Sequence, residues 1–473
     1  MDHNEFREWA QKAADWGATY RESISKFPVR SQVRLGELEN KLPRTAPETP
    51  ESMGEIFADF ERLIMPGITH WQHPRFFAYF PSNASPPSVV AEMLVASISA
   101  QCMIWQTSPA ASELETVMLR WLAQALAIPE EFSGVIQDTA STATLVAILV
   151  MRERALNWSG NREGLSGSRR LRVYASDLVH SSIDRAVWIA GIGEENLVRI
   201  PTRGPKCSLD ATELKAAIDR DLDAGLLPCG VVLCVGGTSF GATDDLAQAC
   251  EVAQQYNLYT HVDAAWAGTA MLCPEFREDW RGIEMADSIV VNPHKWMGIQ
   301  FDCSTHFFKN ADAVLRTLAI HPEYLQTPDR GSAIDYCEYS IQLGRRFRAL
   351  KMWFVMRCYG LEALRQRIRN HVAWAQSLAS RLDALPGIEV VTQPYLSLFT
   401  FRLNKPGLAD KALDDLNLQL LNGLNSEGQV YLSPTKVKKR QVLRFQIGQF
   451  DCTEGDVEIA YRAIVDWSRR LLS

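Results

Sequence analysis

The sequence lacks most of the features that would announce a chemistry at first sight. No run of about 18 apolar residues occurs in its 473 residues, so no membrane-spanning helix is expected. The ten cysteines form no CxxC pair and no zinc-type spacing. A cysteine metal centre is thereby excluded, no metal site is expected, and the cysteines read as reduced thiols. No GxGxxG follows a strand-like run and no GxxxxGK[ST] occurs, which counts against nicotinamide-dinucleotide and P-loop chemistry. Positive charge is not in excess. The formal charge is -7, so neither nucleic acid nor an anionic membrane is an expected partner. One basic run, from Lys436 to Arg440, reads as a solvated turn between two strands. The opening "MDHNEFREWAQ" is charged from its second residue and has no apolar stretch of the signal-peptide kind. Together with reduced thiols, this gives a cytoplasmic expectation.

Hydrophobic residues make up 47% and charged residues 22%, an ordinary globular balance in a chain too long for one core. Phe6, Trp9, Ala13, Trp16 and Tyr20 recur at helical spacing, and Ile56, Phe57, Phe60 and Ile64 mark a second helix after a proline-rich connector. Two aromatic-faced helices of this kind need something to pack on, such as a second copy of the chain. From about residue 85, apolar runs alternate with helical stretches: "LRVYAS", "NLVRIP", "CGVVLCV", "LYTHVDAA", "SIVVNP". That alternation predicts βαβ units and a mostly parallel sheet. After Trp353 come a long helix and then strands and helices in an α+β pattern. The expected organisation is a helical arm over 1–84, a large α/β domain over 85–353 and a small α+β domain over 354–473.

In "SIVVNPHKWM" a β-branched run ends at Asn292-Pro293 and delivers Lys295 between His294 and Trp296. In "HVDAAWAG" a strand delivers Asp263, followed by the small residues Ala264, Ala265 and Ala267. Asp263 alone could equally cap the next helix. Two strand ends carrying a carboxylate and an amine match what pyridoxal phosphate needs, because ligands of open α/β sheets bind outside the carboxyl ends of the strands. That cofactor takes a lysine for its aldehyde and an acid for its ring nitrogen. "QDTASTATLVAIL" opens an apolar helix with small hydroxylated residues, suited to a phosphate or simply to capping. "VHSSIDRA" places His180 after the strand "RVYAS", where a lone histidine is more often structural.

"NPHKW", "HVDAAWAG", "VHSS", "SPAASELE", "HPRFFAYFPS" and "LGRRFRALKMWFV", spread across nearly the whole chain, resemble the group II pyridoxal-phosphate decarboxylases, aromatic-L-amino-acid decarboxylase branch. The resemblance implies a fold-type-I enzyme, a homodimer with sites at the dimer interface, an arm packed across the partner, and an aromatic amino acid as substrate. It implies Lys295 as the Schiff-base lysine, Asp263 as the pyridinium partner, Ala265 beneath the ring and His180 stacked over it. Ala140, Ser141, Asn292 and His294 match positions around the phosphate, and Thr238 of "GGTSFG" a position beside cofactor and substrate carboxylate. Tyr79, Phe80 and Pro81 match the substrate-pocket strip, joined by Ser82, Trp71, Met103, Ile104 and Gly344. Tyr324, in the Pro- and Gly-containing "HPEYLQTPDRGSAIDY", matches the tyrosine that protonates Cα.

Some positions depart from the pattern. Asp138 and Thr139 stand where many relatives have glycine and serine, and Gly237 replaces the first threonine of "GTT". Ser82 stands for the threonine of the animal enzymes, and Ile104 for a small serine. These changes touch the phosphate cup and the ring pocket. Three readings stay open: an aromatic amino acid decarboxylase, an aldehyde synthase on the same scaffold, and a non-catalytic dimer. Tyrosine at 324 and histidine at 180 favour the first. The aromatic strip at Tyr79 and Phe80 argues against a glutamate decarboxylase, and Gly344 leaves room for an indole.

Overall fold

The computed structural model describes residues 1–320 and 333–473. Two compact units emerge: residues 82–373, and residues 1–81 together with 374–473. The large domain expected over 85–353 falls within the former, and the expected arm contributes to the latter.

Residues 82–373 are built on one sheet. Its strands are β1 (Ser133–Gln137), β2 (Leu171–Ser176), β3 (Leu197–Ile200), β6 (Leu227–Cys234), β7 (Tyr259–Asp263), β8 (Ser288–Val291) and β9 (Ser304–Phe308). A hairpin of β4 (Thr202–Arg203) and β5 (Ser208–Leu209) stands apart from it. The order is β1-β9-β8-β7-β6-β2-β3. Strands β3, β2, β6, β7 and β8 pair parallel, while β9 runs antiparallel to both β8 and β1. Strands buried on both faces become near-continuous apolar runs, and Ile289, Val290 and Val291 show no exposed surface. Close helix–sheet packing demands glycine at Gly230, where an added Cβ would stand 2.6 Å from Cγ of Met151 in the helix Ala140–Ala155. All five apolar runs of the alternating region form strands. Strands β1 and β9 escape a pattern reading because Gly134, Ser304, Thr305 and His306 interrupt their apolar character. The two hydroxyls of β9 are satisfied inside: Ser304 Oγ donates to Asn292 Oδ1 at 2.6 Å and Thr305 Oγ1 to the Val291 carbonyl at 3.0 Å. The carboxyl ends of β1, β2, β6, β7 and β8 open on the same edge of the sheet, and that edge is where the site forms.

In the other unit, β10 (Ile388–Tyr395), β11 (Leu398–Leu403), β12 (Ser433–Val437) and β13 (Arg440–Gln446) form an antiparallel sheet in the order β10-β11-β13-β12. Phe399, Phe401, Leu420, Leu443, Phe445 and Ile464 make its core. Phe77 joins them, stacked on Phe445 at 4.4 Å. Lys438 and Lys439 both have positive φ (48° and 69°), as a two-residue hairpin turn requires; the basic run is that turn. The helix His3–Ser23 lays Trp9 on Phe57 and Trp16 on Phe60, yet buries none of its own residues. Among the described residues, no helix is long and apolar enough to cross a membrane.

Candidate functional site

The shared strand edge encloses a cleft lined by Thr139, Ala140, Ser141, His180, Ser182, Cys234, Gly236, Thr238, Asp263, Ala265, Trp266, Asn292 and Lys295. Each lies at or just past the carboxyl end of β1, β2, β6, β7 or β8. A larger cleft of about 450 Å³ lies against Leu119, Phe132, Phe307 and Tyr339. No lysine or histidine lines it, so chemistry belongs to the smaller one.

Lys295 sits in the turn after β8, its N–H donating to the Asn292 carbonyl at 2.9 Å. The turn is strapped from the side by Asn83, whose Nδ2 donates to the Lys295 carbonyl (2.6 Å) and whose N–H donates to the His294 carbonyl (3.0 Å). These bonds fix the backbone and leave the half-buried side chain to the cleft. Asp263, the last residue of β7, is buried, and its Oδ1 accepts the Ala265 N–H at 3.1 Å. Both neighbours of its strand hold it in place: Val235 N–H donates to its carbonyl at 3.0 Å, and Cys234 and Val290 are its register partners.

His180 accepts the Ser182 N–H on Nδ1 at 3.1 Å, which leaves Nε2 to carry the ring proton. Much of its side chain meets solvent. The protein packed behind the ring still lowers its pKa below the ordinary 6.5; Asp263 opposes this and Lys295 reinforces it. The shift favours the neutral, stackable form of the His180 ring.

At the opposite end, Ala140–Ala155 begins a helix whose N-cap, Thr139, makes no side-chain cap bond. Its first N–H groups and the Ser141 hydroxyl are donors available to an anion. Asn292 Oδ1 is taken by Ser304 Oγ, which turns the Asn292 Nδ2 donor to other use. Gly236, with φ 81°, lets the loop after β6 come close; a Cβ there would press on Trp266 at 3.0 Å. The group suited to this donor set carries an aldehyde for Lys295, a basic nitrogen for Asp263 and a phosphate for the helix start. Pyridoxal 5'-phosphate has all three.

The structure thus gathers Lys295, Asp263, His180, Ala265, Ala140, Ser141, Thr238 and Asn292 in one cleft. His294 is placed differently. Its buried ring takes the Cys303 N–H on Nδ1 at 3.0 Å and lies 4.9 Å from Phe301, so it is not among the lining side chains. Burial, with Lys295 and Lys351 adding to it, pushes its pKa down to about 3. Ser82, Met103, Ile104 and Gly344 belong to the unit of residues 82–373 without lining the cleft. Ile104 is buried, and Gly344 faces Gln101.

Trp71, Tyr79, Phe80 and Pro81 belong to the other unit. There Tyr79 takes φ 49°, uncommon for a bulky residue. Its exposed ring stacks on Trp71 at 5.9 Å and meets Tyr431 edge-on at 6.1 Å. Phe80 covers Gly448. Tyr324 lies outside the described residues. Sequence reasoning missed Cys234, Trp266, Ser304 and Tyr431. Only Trp266 carried a signal, standing directly after Ala265. Among the described residues, no cluster of three His, Cys, Asp or Glu could hold a metal.

Comparison with known proteins identifies the family. Residues 36–404 match the family model described as the pyridoxal-dependent decarboxylase conserved domain. Phenylacetaldehyde synthase of Arabidopsis thaliana is 39% identical over 100% of this chain and 97% of its own length. Aromatic-L-amino-acid decarboxylase of Mus musculus is 39% identical over 100% and 99%. The crystal structure of Oryza sativa TDC with PLP and tryptamine superposes with a TM-score of 0.96 at 34% identity, covering 100% of this chain and 99% of that one. The chain therefore belongs to the group II pyridoxal-phosphate-dependent decarboxylases, in the aromatic amino acid decarboxylase family, with a fold-type-I architecture and pyridoxal 5'-phosphate as its cofactor.

Proposed function

We propose that this chain decarboxylates an aromatic L-amino acid (tryptophan, phenylalanine, tyrosine or dihydroxyphenylalanine) to the corresponding arylalkylamine and carbon dioxide. The observation that carries the reading is the convergence of Lys295, Asp263 and His180 on one cleft in a chain of this family. When bound, pyridoxal phosphate supplies an electron sink for the breaking Cα–carboxylate bond. Lys295 holds the cofactor and yields it to the substrate amine. Asp263 keeps a proton on the ring nitrogen, and Ala265 and His180 confine the ring from its two faces. The helix start at Ala140 and Ser141, with Asn292, serves the phosphate end, and Thr238 lies beside the cofactor and the substrate carboxylate. Trp71, Tyr79, Phe80, Pro81, Ser82, Met103, Ile104 and Gly344 are assigned to the substrate ring, and Tyr324 to protonation of Cα after carbon dioxide leaves.

The second reading, an aldehyde synthase, is favoured by the likeness to phenylacetaldehyde synthase. Product analysis separates the two. With each aromatic amino acid in turn, carbon dioxide and amine are expected in equal amounts, without oxygen uptake. In Tyr324→Phe, one hydroxyl is lost and the ring kept. Amine yield should drop by about 100-fold, the scale of a lost general acid, and aldehyde, ammonia and peroxide should appear. Amine formation at the wild-type rate in that variant would remove Tyr324 from the mechanism; aldehyde from the unaltered protein would favour the synthase.

We further propose a homodimer in the cytoplasm. Helix His3–Ser23 buries no residue of its own, and Val90, Met93, Leu94 and Ile98 expose one apolar stripe along helix Pro86–Ile98. Surfaces of this kind call for a cover. Sedimentation of the full chain should give twice the chain mass; a monomer at micromolar concentration would overturn the dimer. The ten cysteines are all unpaired, as suits a reducing compartment.

A further inference from the structure

The turn between β1 and the helix Ala140–Ala155 holds a carboxylate beside the donors assigned to the cofactor's phosphate. Asp138 Oδ1 accepts the Thr139 N–H at 2.6 Å and the Thr139 hydroxyl at 3.3 Å. Its Oδ2 accepts from Gln342 Nε2 at 3.4 Å. The Thr139 N–H is thereby spent internally, and a negative charge stands immediately before Thr139, Ala140 and Ser141, which line the cleft. The cation that feels it does not cancel it. Arg348 feels Asp138 but is bonded by both carboxylate oxygens of Asp302, at 2.8 and 3.4 Å. Among the described residues, Asp138 forms no ion pair of its own.

We propose that Asp138 is a negative determinant of cofactor affinity: it occupies and screens the helix start in the free protein, so that the phosphate is held loosely and the cofactor exchanges. A carboxylate at a helix N-terminus stabilises the empty helix end. A phosphate monoester arriving there brings close to two negative charges at neutral pH, and like charges a few ångströms apart repel. The same carboxylate thus favours the free state and disfavours the loaded one.

The test is binding rather than turnover. The full chain is stripped of cofactor and titrated with pyridoxal 5'-phosphate, with pyridoxal, and with inorganic phosphate. Wild type is compared with Asp138→Asn, which keeps an oxygen to accept the Thr139 N–H but removes the charge. Asp138→Gly is the second variant, and thermal melting of each free protein reports on folding. For Asp138→Asn the dissociation constant of pyridoxal 5'-phosphate should fall about tenfold at low ionic strength, shrinking as salt screens the repulsion. Inorganic phosphate should tighten in parallel, and pyridoxal, which has no phosphate, should bind as before. Unchanged or weaker binding of pyridoxal 5'-phosphate in both variants would overturn the proposal. So would equal tightening of pyridoxal, which would place the effect at the ring rather than at the phosphate. Membership of the family does not depend on the outcome.

Discussion

Replacing Lys295 with alanine should lower turnover by about 10³-fold or more, the scale on which loss of a covalent-chemistry residue acts. No second amine is poised to take its place. Among the residues lining the cleft, Lys295 is the one lysine. Lys351 is also buried, but its ammonium is committed to Glu92, Gln300 and the Asp302 carbonyl. The substitution should leave the fold largely intact, because what locks the turn is backbone: Asn83 bonds the carbonyls of His294 and Lys295, and the Lys295 N–H bonds Asn292. An alanine preserves all three bonds. Turnover, the visible absorbance of the cofactor-loaded protein, and the melting temperature should be measured together. A variant that stays folded, loses the lysine-linked absorbance and does not turn over fits the assignment. Full activity would show that Lys295 does not carry the cofactor.

The second large effect is expected at Asp263. Asp263→Asn retains an oxygen to accept the Ala265 N–H and changes little in volume. What it removes is the charge that would hold a proton on the cofactor's ring nitrogen. Without that proton the ring draws electrons from the breaking bond less strongly, so kcat should fall by about 100-fold, within the range of proton-linked contributions to catalysis. KM should change less, because the interaction is made chiefly as charge develops. A fall in melting temperature without loss of kcat would make Asp263 structural. Wild-type turnover at saturating cofactor would remove it from the mechanism altogether. His180 offers an internal gauge, since Asp263 raises its pKa. Once the carboxylate is neutral, His180 should titrate at lower pH than before.

The sequence by itself determined the parts that depend on local order. β-Branched runs define β6, β7 and β8, and the residues just past each run must emerge at a strand end. Hence Asp263 and Lys295 could be assigned to one edge without coordinates, and His180 could be placed after β2. The basic run from Lys436 to Arg440 could be read as a turn because charged residues between two apolar strands have nowhere else to go. Tertiary structure alone decided the rest. Strands β1 and β9 carry polar residues whose partners lie across the sheet, as when Ser304 finds Asn292. No period in the chain reveals that. The same bond commits Asn292 Oδ1. His294 adjoins Lys295 in sequence, yet its ring is drawn to Cys303 and Phe301. Backbone direction at a strand end is local, whereas the direction of each side chain in the turn beyond it is set by residues distant in sequence. Asp138 shows both sides of this. Its presence at the helix start is written in the chain, but that it binds its own neighbour's N–H, while Asp302 occupies Arg348, emerges only from the way the elements pack.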